Sequence, residues 1–251
     1  MINLDRDRIR KLLTVGLVGS VLCGIGDLLL GYGANVPMEG LAGALMGNAQ
    51  NLTDAQLIAG GLLGLVGILL EGFGFFGICR LMVDAAPGPA RLYRIGAILY
   101  IWLAPIGCHM NVGVINMAFK YLLEAGFEGA IDVANTMLVA FYVPIFVLLA
   151  IVWMPMLVIA FRAFGRGLTP YPIRAKWFNL VCGAVPALVV GGVLSAVGPG
   201  TEALGSAIAT MSLSFGNALT FGGLLATMPT EKRFQEFRER IGGGNVEDRL
   251  V

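Results

Sequence analysis

Charge is scarce in this chain: 13% of its 251 residues are Asp, Glu, Lys or Arg, about half the share of a soluble domain. Such a surface cannot face water on all sides, and no polar or charged linker marks off a second, soluble domain. Histidine occurs once, at His109, so a multi-histidine metal centre is excluded. No H-E-x-x-H, G-x-S-x-G or P-loop is present, which removes the commonest zinc-protease, serine-hydrolase and nucleotide-binding arrangements. The four cysteines, Cys23, Cys79, Cys108 and Cys182, form no C-x-x-C pair and fall in apolar runs. They read as small apolar residues, with neither a disulfide nor a redox compartment implied. Basic residues form no patch beyond those that flank apolar runs, so nucleic acid is not an expected partner. The weakly basic start and the lack of an A-x-A site after the first run argue against a cleaved signal peptide.

What is abundant is apolar length and glycine. Hydrophobic residues make up 57% of the chain, and there are 36 glycines. Six runs, near 12–33, 56–80, 95–119, 133–161, 177–197 and 204–228, are long enough to cross a hydrocarbon core of about 30 Å. The expected fold is all-α: an integral membrane bundle of six transmembrane helices in one domain, 1–228, followed by an amphipathic tail, 229–251. Arg6, Arg8, Arg10 and Lys11 precede the first run, and Arg80, Arg91 and Arg94 lie between the second and third. Arg162, Arg166, Arg174 and Lys176 separate the fourth and fifth, and Lys232, Arg233, Arg238, Arg240 and Arg249 follow the sixth. The alternate loops hold Lys120 and otherwise only acids, so the positive-inside rule makes both termini and the tail cytoplasmic.

The first two runs share a pattern. Gly16, Ser20, Gly24, Asp27 and Gly31 recur at helical spacing, as do Gly60, Gly64, Gly67, Glu71 and Gly74. Each run therefore carries a seam of small residues with one acid set into it. Small seams let helices approach closely in a bilayer, where lipid offers no hydrophobic reason to associate. On this reading Gly24 and Gly64 accept Ala but not Leu. A similar seam runs through Gly205, Ala209, Ser212, Gly216, Thr220 and Gly223 in the last run. Pro37 is placed to begin a short helix, Met38 to Met46, Thr53 to cap the second run, and Pro105 to kink the third just before His109. Tyr171 and Trp177 suit an interfacial aromatic belt, and Phe234, Phe237 and Ile241 give the tail one apolar side for the inner leaflet.

A charged acid at the centre of a span costs about 2.5–3.5 kcal/mol on insertion scales, so Asp27 and Glu71 are the leading functional candidates. The bland alternative is that both simply hydrogen-bond across helices. His109 joins them as the one side chain with switch chemistry near neutral pH, and Asn111, Asn116 and Asn217 as polar lining. Counted from the outer ends of the runs, Asp27 lies about 9 Å deep, His109 about 15 Å and Glu71 about 22 Å. That describes a descending series opening outward, with His109 between the acids. Cys108, His109 and Met110 are consecutive in a helix and point about 100° apart, so they cannot converge on a metal. No metal site and no cofactor is expected.

The stretch Gly26-Asp27-Leu28-Leu29-Leu30-Gly31-Tyr32 resembles one near the start of a family of uncharacterised bacterial integral membrane proteins. The resemblance implies a bacterial inner-membrane location and brings no activity with it. The expected function is a proton- or cation-coupled transporter with an outward-opening acidic pocket, its partners being the bilayer, a small ion or small-molecule ligand, and a second copy of itself. The alternatives are a membrane-embedded enzyme that uses a buried acid on a lipid or isoprenoid, and a scaffold whose seams pack against a partner.

Overall fold

The computed structural model describes residues 4–198 and 200–242, and all regular structure among them is helical. The last part of the tail, with Arg249, lies outside the described residues. Helix α1 spans Arg6–Gly31 and α2 Gly40–Met46; α3 spans Asp54–Met82, α4 Pro87–Ala104 and α5 Asn111–Glu124. Then come α6 (Ala130–Met137), α7 (Val143–Gly165), α8 (Leu180–Val197), α9 (Glu202–Thr210), α10 (Ser212–Ala226) and α11 (Glu231–Gly242). Wide π-helical stretches, Pro105–Met110 and Leu138–Tyr142, join α4 to α5 and α6 to α7 without a break.

Local chemistry sets the ends. The Asp5 side chain accepts from the Arg8 amide at the start of α1, and Asn179 accepts from the Cys182 amide at the start of α8. Thr53 caps α3 with a reciprocal bond to Gln56 at its third position, a capping box. Among the described residues, five helical stretches are long and apolar enough to cross a membrane: α1, α3, α4 through α5, α6 through α7, and α8. A sixth exists if α9 and α10, bent by 54° at Met211, count as one span. The last apolar run of the sequence is thus two helices, and nothing in its composition marked the bend. Large apolar side chains such as Val18, Leu62, Val139, Ile151 and Val189 are exposed, which is compatible with apolar surroundings.

The α1–α3 pair is the centre of the bundle, and it is held backbone to backbone. A Cβ on Gly16 would lie 2.6 Å from the Gly74 Cα, one on Gly26 2.7 Å from the Gly60 carbonyl, and one on Gly67 2.5 Å from the Cys23 amide. Gly19 belongs to this line, its Cβ position 2.6 Å from the Glu71 amide. Gly24 does not: a Cβ there would meet only Ser214 of α10, at an ordinary 3.7 Å. The small face of α1 is therefore broad, with one edge on α3 and the other on α9 and α10. A second close contact joins α8 to α9 and α10, through Gly183 on Gly216 and Gly191 on Ala209.

At the termini end the bundle is filled. Phe75 packs edge-on against Tyr100 and Phe221, with ring centroids 5.0 and 5.3 Å apart. Phe234 and Phe237 of α11 are buried in this same core, and the Arg6 guanidinium donates to the Pro229 carbonyl at 2.8 Å. The tail's apolar side is thus spent on the bundle rather than left free for a leaflet. Tyr171 is likewise buried and donates to the Leu224 carbonyl, while Trp177 is exposed, so only Trp177 suits an aromatic belt. At the opposite end α2 folds over the bundle, its Ala42 amide donating to Asn135 and Asn48 donating to the Leu30 carbonyl. There Lys120 is pinned by Asp54 at 2.6 Å.

Candidate functional site

Above the filled core lies a cavity of about 530 Å³, walled by α1, α3, the α4–α5 helix, α7 and α10, with the α2 segment at its upper rim. Small residues explain the space. Where α1 and α3 touch through glycine, larger side chains from neighbouring helices reach inward, and at Gly64 the room is taken by the His109 ring.

Two polar clusters share the cavity. In the upper one, Ser214 donates to Asp27 Oδ2 at 2.5 Å, while Asp27 Oδ1 lies 3.4 Å from His109 Nε2. Cys23, one helical turn before Asp27 on α1, places its sulfur 3.3 Å from that same nitrogen. In the lower one, Glu71 is 1% exposed and receives two donors on a single oxygen: the Tyr100 hydroxyl, and the Asn217 amide at 3.0 Å. Trp153 stacks on Tyr100 with centroids 5.6 Å apart and completes the floor.

Among the described residues, six buried side-chain atoms lack a hydrogen-bond partner: Glu71 Oε1, Asn116 Oδ1, Asn217 Oδ1, His109 Nδ1, Trp153 Nε1 and Thr169 Oγ1. All but Thr169 belong to residues that line this cavity. Orphaned buried polar atoms are uncommon in folded proteins, and when they gather at one place they indicate what that place is for. Three of the five are oxygens, two of them amide carbonyls that only accept and the third on Glu71, one of the two acids of the site.

Of the residues singled out from sequence, Asp27, Glu71, His109, Asn116 and Asn217 line the one cavity. Asn111 does not; its amide donates to the Phe141 carbonyl at 3.4 Å. Asp27 and His109 are in contact, and Glu71 is hydrogen-bonded in the second cluster. Pro105 lacks an amide donor, and the chain here adopts a π-helical stretch rather than a simple kink.

Sequence reasoning missed Ser214, Tyr100 and Cys23. Ser214 and Tyr100 carried no signal, since hydroxyls are common in apolar helices. Cys23 carried one, because Cys23 and Asp27 are four residues apart and share a helical face. Cys23, Asp27 and His109 are also the one set among the described residues whose atoms could hold a metal ion, all within 4.8 Å of one another. The sequence argument excluded Cys108 with His109 and did not consider a cysteine from another helix.

A family model matches residues 1–231, and on that extent the chain belongs to the family of unknown function DUF6796. No curated protein and no solved structure matches it.

Proposed function

We propose that this member of an uncharacterised family is a proton- or cation-coupled membrane transporter whose central site is the Asp27–Glu71 cavity. The observation that carries the reading is the gathering of unpartnered acceptor oxygens, Glu71 Oε1, Asn116 Oδ1 and Asn217 Oδ1, around a cavity that already holds two acids. Desolvated acceptors in apolar surroundings are expensive unless something positive or hydrogen-bonding meets them. A proton, a metal ion or a protonated solute does so. The interrupted spans agree with this. The π-helical stretch beside His109 and the 54° bend between α9 and α10 both border the cavity, and broken helices beside a mid-membrane site are how many transporters expose backbone and change shape.

In this reading all six runs span the membrane and both ends of the chain are cytoplasmic. Arg8, Arg80, Arg91 and Arg94 line one recess at the termini end, far from the α2 rim, which suits the cytoplasmic side of a bacterial inner membrane. The cavity then opens outward, beneath α2. Domain 1–228 forms the transport body, and the tail closes its inner end.

One observation favours a second reading, an enzyme acting on a lipid. Phe146 of α7 and Leu188 of α8 line the cavity and are exposed, which gives it an apolar edge suited to an acyl or prenyl chain. A buried acid would then serve as proton donor to that chain's reactive end. The scaffold alternative draws less support, because a packing seam has no use for a hollow of this size.

Reconstituted protein separates the readings. Proteoliposomes bearing an imposed proton or cation gradient should show flux through the wild type, and Asp27→Asn should abolish it while the protein stays folded. Turnover of bilayer lipid without any gradient, lost in the same variant, would replace transport with enzymology. Flux in Asp27→Asn equal to wild type would remove Asp27 from the site.

A further inference from the structure

We infer that Cys23 Sγ, Asp27 Oδ1 and His109 Nε2 form a binding site for a zinc-class divalent transition-metal ion, with the fourth coordination position turned toward the cavity. The three groups do not fit one another as hydrogen-bond partners. His109 Nε2 is approached by Cys23 Sγ at 3.3 Å and by Asp27 Oδ1 at 3.4 Å. A neutral ring nitrogen offers one hydrogen or one lone pair, so it cannot serve both neighbours. The nitrogen–oxygen separation is also about 0.5 Å longer than an ordinary N–H···O bond.

The same distances fit the edges of a coordination tetrahedron. Zinc bonds of about 2.3 Å to sulfur, 2.05 Å to nitrogen and 2.0 Å to oxygen at tetrahedral angles put sulfur about 3.5 Å and oxygen about 3.3 Å from the nitrogen. All three ligand atoms lie within 4.8 Å of one another, and all three residues are buried. The sulfur–nitrogen and nitrogen–oxygen edges thus match such a tetrahedron, and the sulfur–oxygen edge is no longer than 4.8 Å.

The surroundings are arranged to match. Ser214 donates to Asp27 Oδ2 at 2.5 Å, which leaves Oδ1 to face the ion and fixes the carboxylate's orientation. Cys23 and Asp27 are held one turn apart on α1, whose glycines lie against the backbone of α3. Gly64 provides the space in which the His109 ring sits, so the ligand's position depends on a missing side chain. Three protein ligands and an open fourth position are the pattern of a zinc site that keeps a place for water or a substrate.

One sulfur, one imidazole and one carboxylate select a borderline ion such as Zn²⁺ or Co²⁺. Mg²⁺ and Ca²⁺ require more oxygen ligands, and Cu(I) prefers more sulfur. Binding converts the Cys23 thiol to thiolate, its proton passing to solvent through the cavity. The ion would be cargo in the transport reading and a resident Lewis acid in the enzyme reading. The inference rests on the proposed function only in sharing its cavity, since the binding geometry stands without either activity.

The test uses tag-free, full-length protein in detergent, stripped with a chelator and titrated with Co²⁺. The expected result is one Co²⁺ per chain, with a near-ultraviolet thiolate charge-transfer band and strong visible bands of tetrahedral Co²⁺, all displaced by Zn²⁺. Cys23→Ser should remove the charge-transfer band and His109→Gln should weaken binding at least tenfold, with melting of the stripped proteins confirming that both variants fold. Ser214→Ala should lower affinity about 10–100-fold while keeping the spectrum. Cys182→Ser, remote from the cluster, should change nothing. Failure of wild type to bind at one per chain, or a band that survives in Cys23→Ser, would overturn the site. Proton or sodium flux without Co²⁺ binding would retire the metal site and leave transport standing. Stoichiometric binding without any flux would retire transport and leave the metal site.

Discussion

The two halves of the α1–α3 pair use glycine for different purposes. Toward the termini, Gly16 and Gly74 meet backbone to backbone, and Phe221 fills the space beside them. Toward the α2 end the backbones stay as close, Gly26 against Gly60, but Gly64 also lies against the His109 ring and Gly24 faces Ser214 in ordinary contact. Small residues bring the two helices together in both halves, and in the second they also leave room for a third helix. The absence of a side chain is therefore not one structural role. In the closed half glycine sets how near two helices come; in the hollow half it also sets what a third helix can insert between them.

The contrast breaks most sharply at Gly67, whose Cβ position is 2.5 Å from the Cys23 amide. Overpacking an adaptable core costs about 1–3 kcal/mol, and here the obstacle is backbone, which cannot turn aside. Gly67→Leu should abolish recovery of monodisperse protein, as read by size-exclusion yield and melting. A normal melting profile would mean that this face meets lipid and that the α1–α3 contact is misplaced.

Gly64→Ala sharpens the comparison. The sequence pattern suggested that Ala is tolerated there, but its Cβ would overlap the His109 imidazole. The ring must move, so the variant should fold yet lose cobalt affinity and cation flux at least tenfold. Gly24→Ala, with 3.7 Å of clearance, should leave stability within about 0.5 kcal/mol and flux intact. Equal behaviour of these two variants would show that the hollow half does not depend on Gly64.

The smallest effect is expected outside both halves, at the rim. Lys120 is held by Asp54 at 2.6 Å, with Glu124 at 3.7 Å. Tyr121 also donates to Asp54, at 2.8 Å. Lys120→Met should lower the melting temperature slightly and change flux less than tenfold. A larger loss of flux would place Lys120 on the ion's path.

Much of this arrangement was legible in the sequence. Apolar length marked the helical runs, and capping chemistry at Thr53 fixed one boundary to the residue. The cost of a buried charge singled out Asp27 and Glu71, and both line the cavity. What was hidden depends on relations between helices. Periodicity on one helix defines a small face but not which neighbour each edge meets, so it did not show that Gly24 faces α10, and Gly19 was overlooked. The bend at Met211 and the π-helical turn before Asn111 leave apolar composition unchanged. Ser214 and Tyr100 became visible only once α10 and α4 were brought against the acids. Cys23 was read as filler because its partner, His109, is 86 residues away.

The central claim is that the hollow half carries function and the closed half carries the fold. Glu71→Gln tests it most directly, because both donors to Glu71, Tyr100 and Asn217, converge on one carboxylate oxygen. A glutamine can present its carbonyl oxygen to both and turn its amide toward the cavity, which keeps the network and removes the charge. Melting and proteoliposome cation flux should be measured on the same preparation. The account predicts stability within about 1 kcal/mol of wild type, with flux reduced at least a hundredfold. Wild-type flux in Glu71→Gln, or a loss of folding comparable to Gly67→Leu, would contradict it.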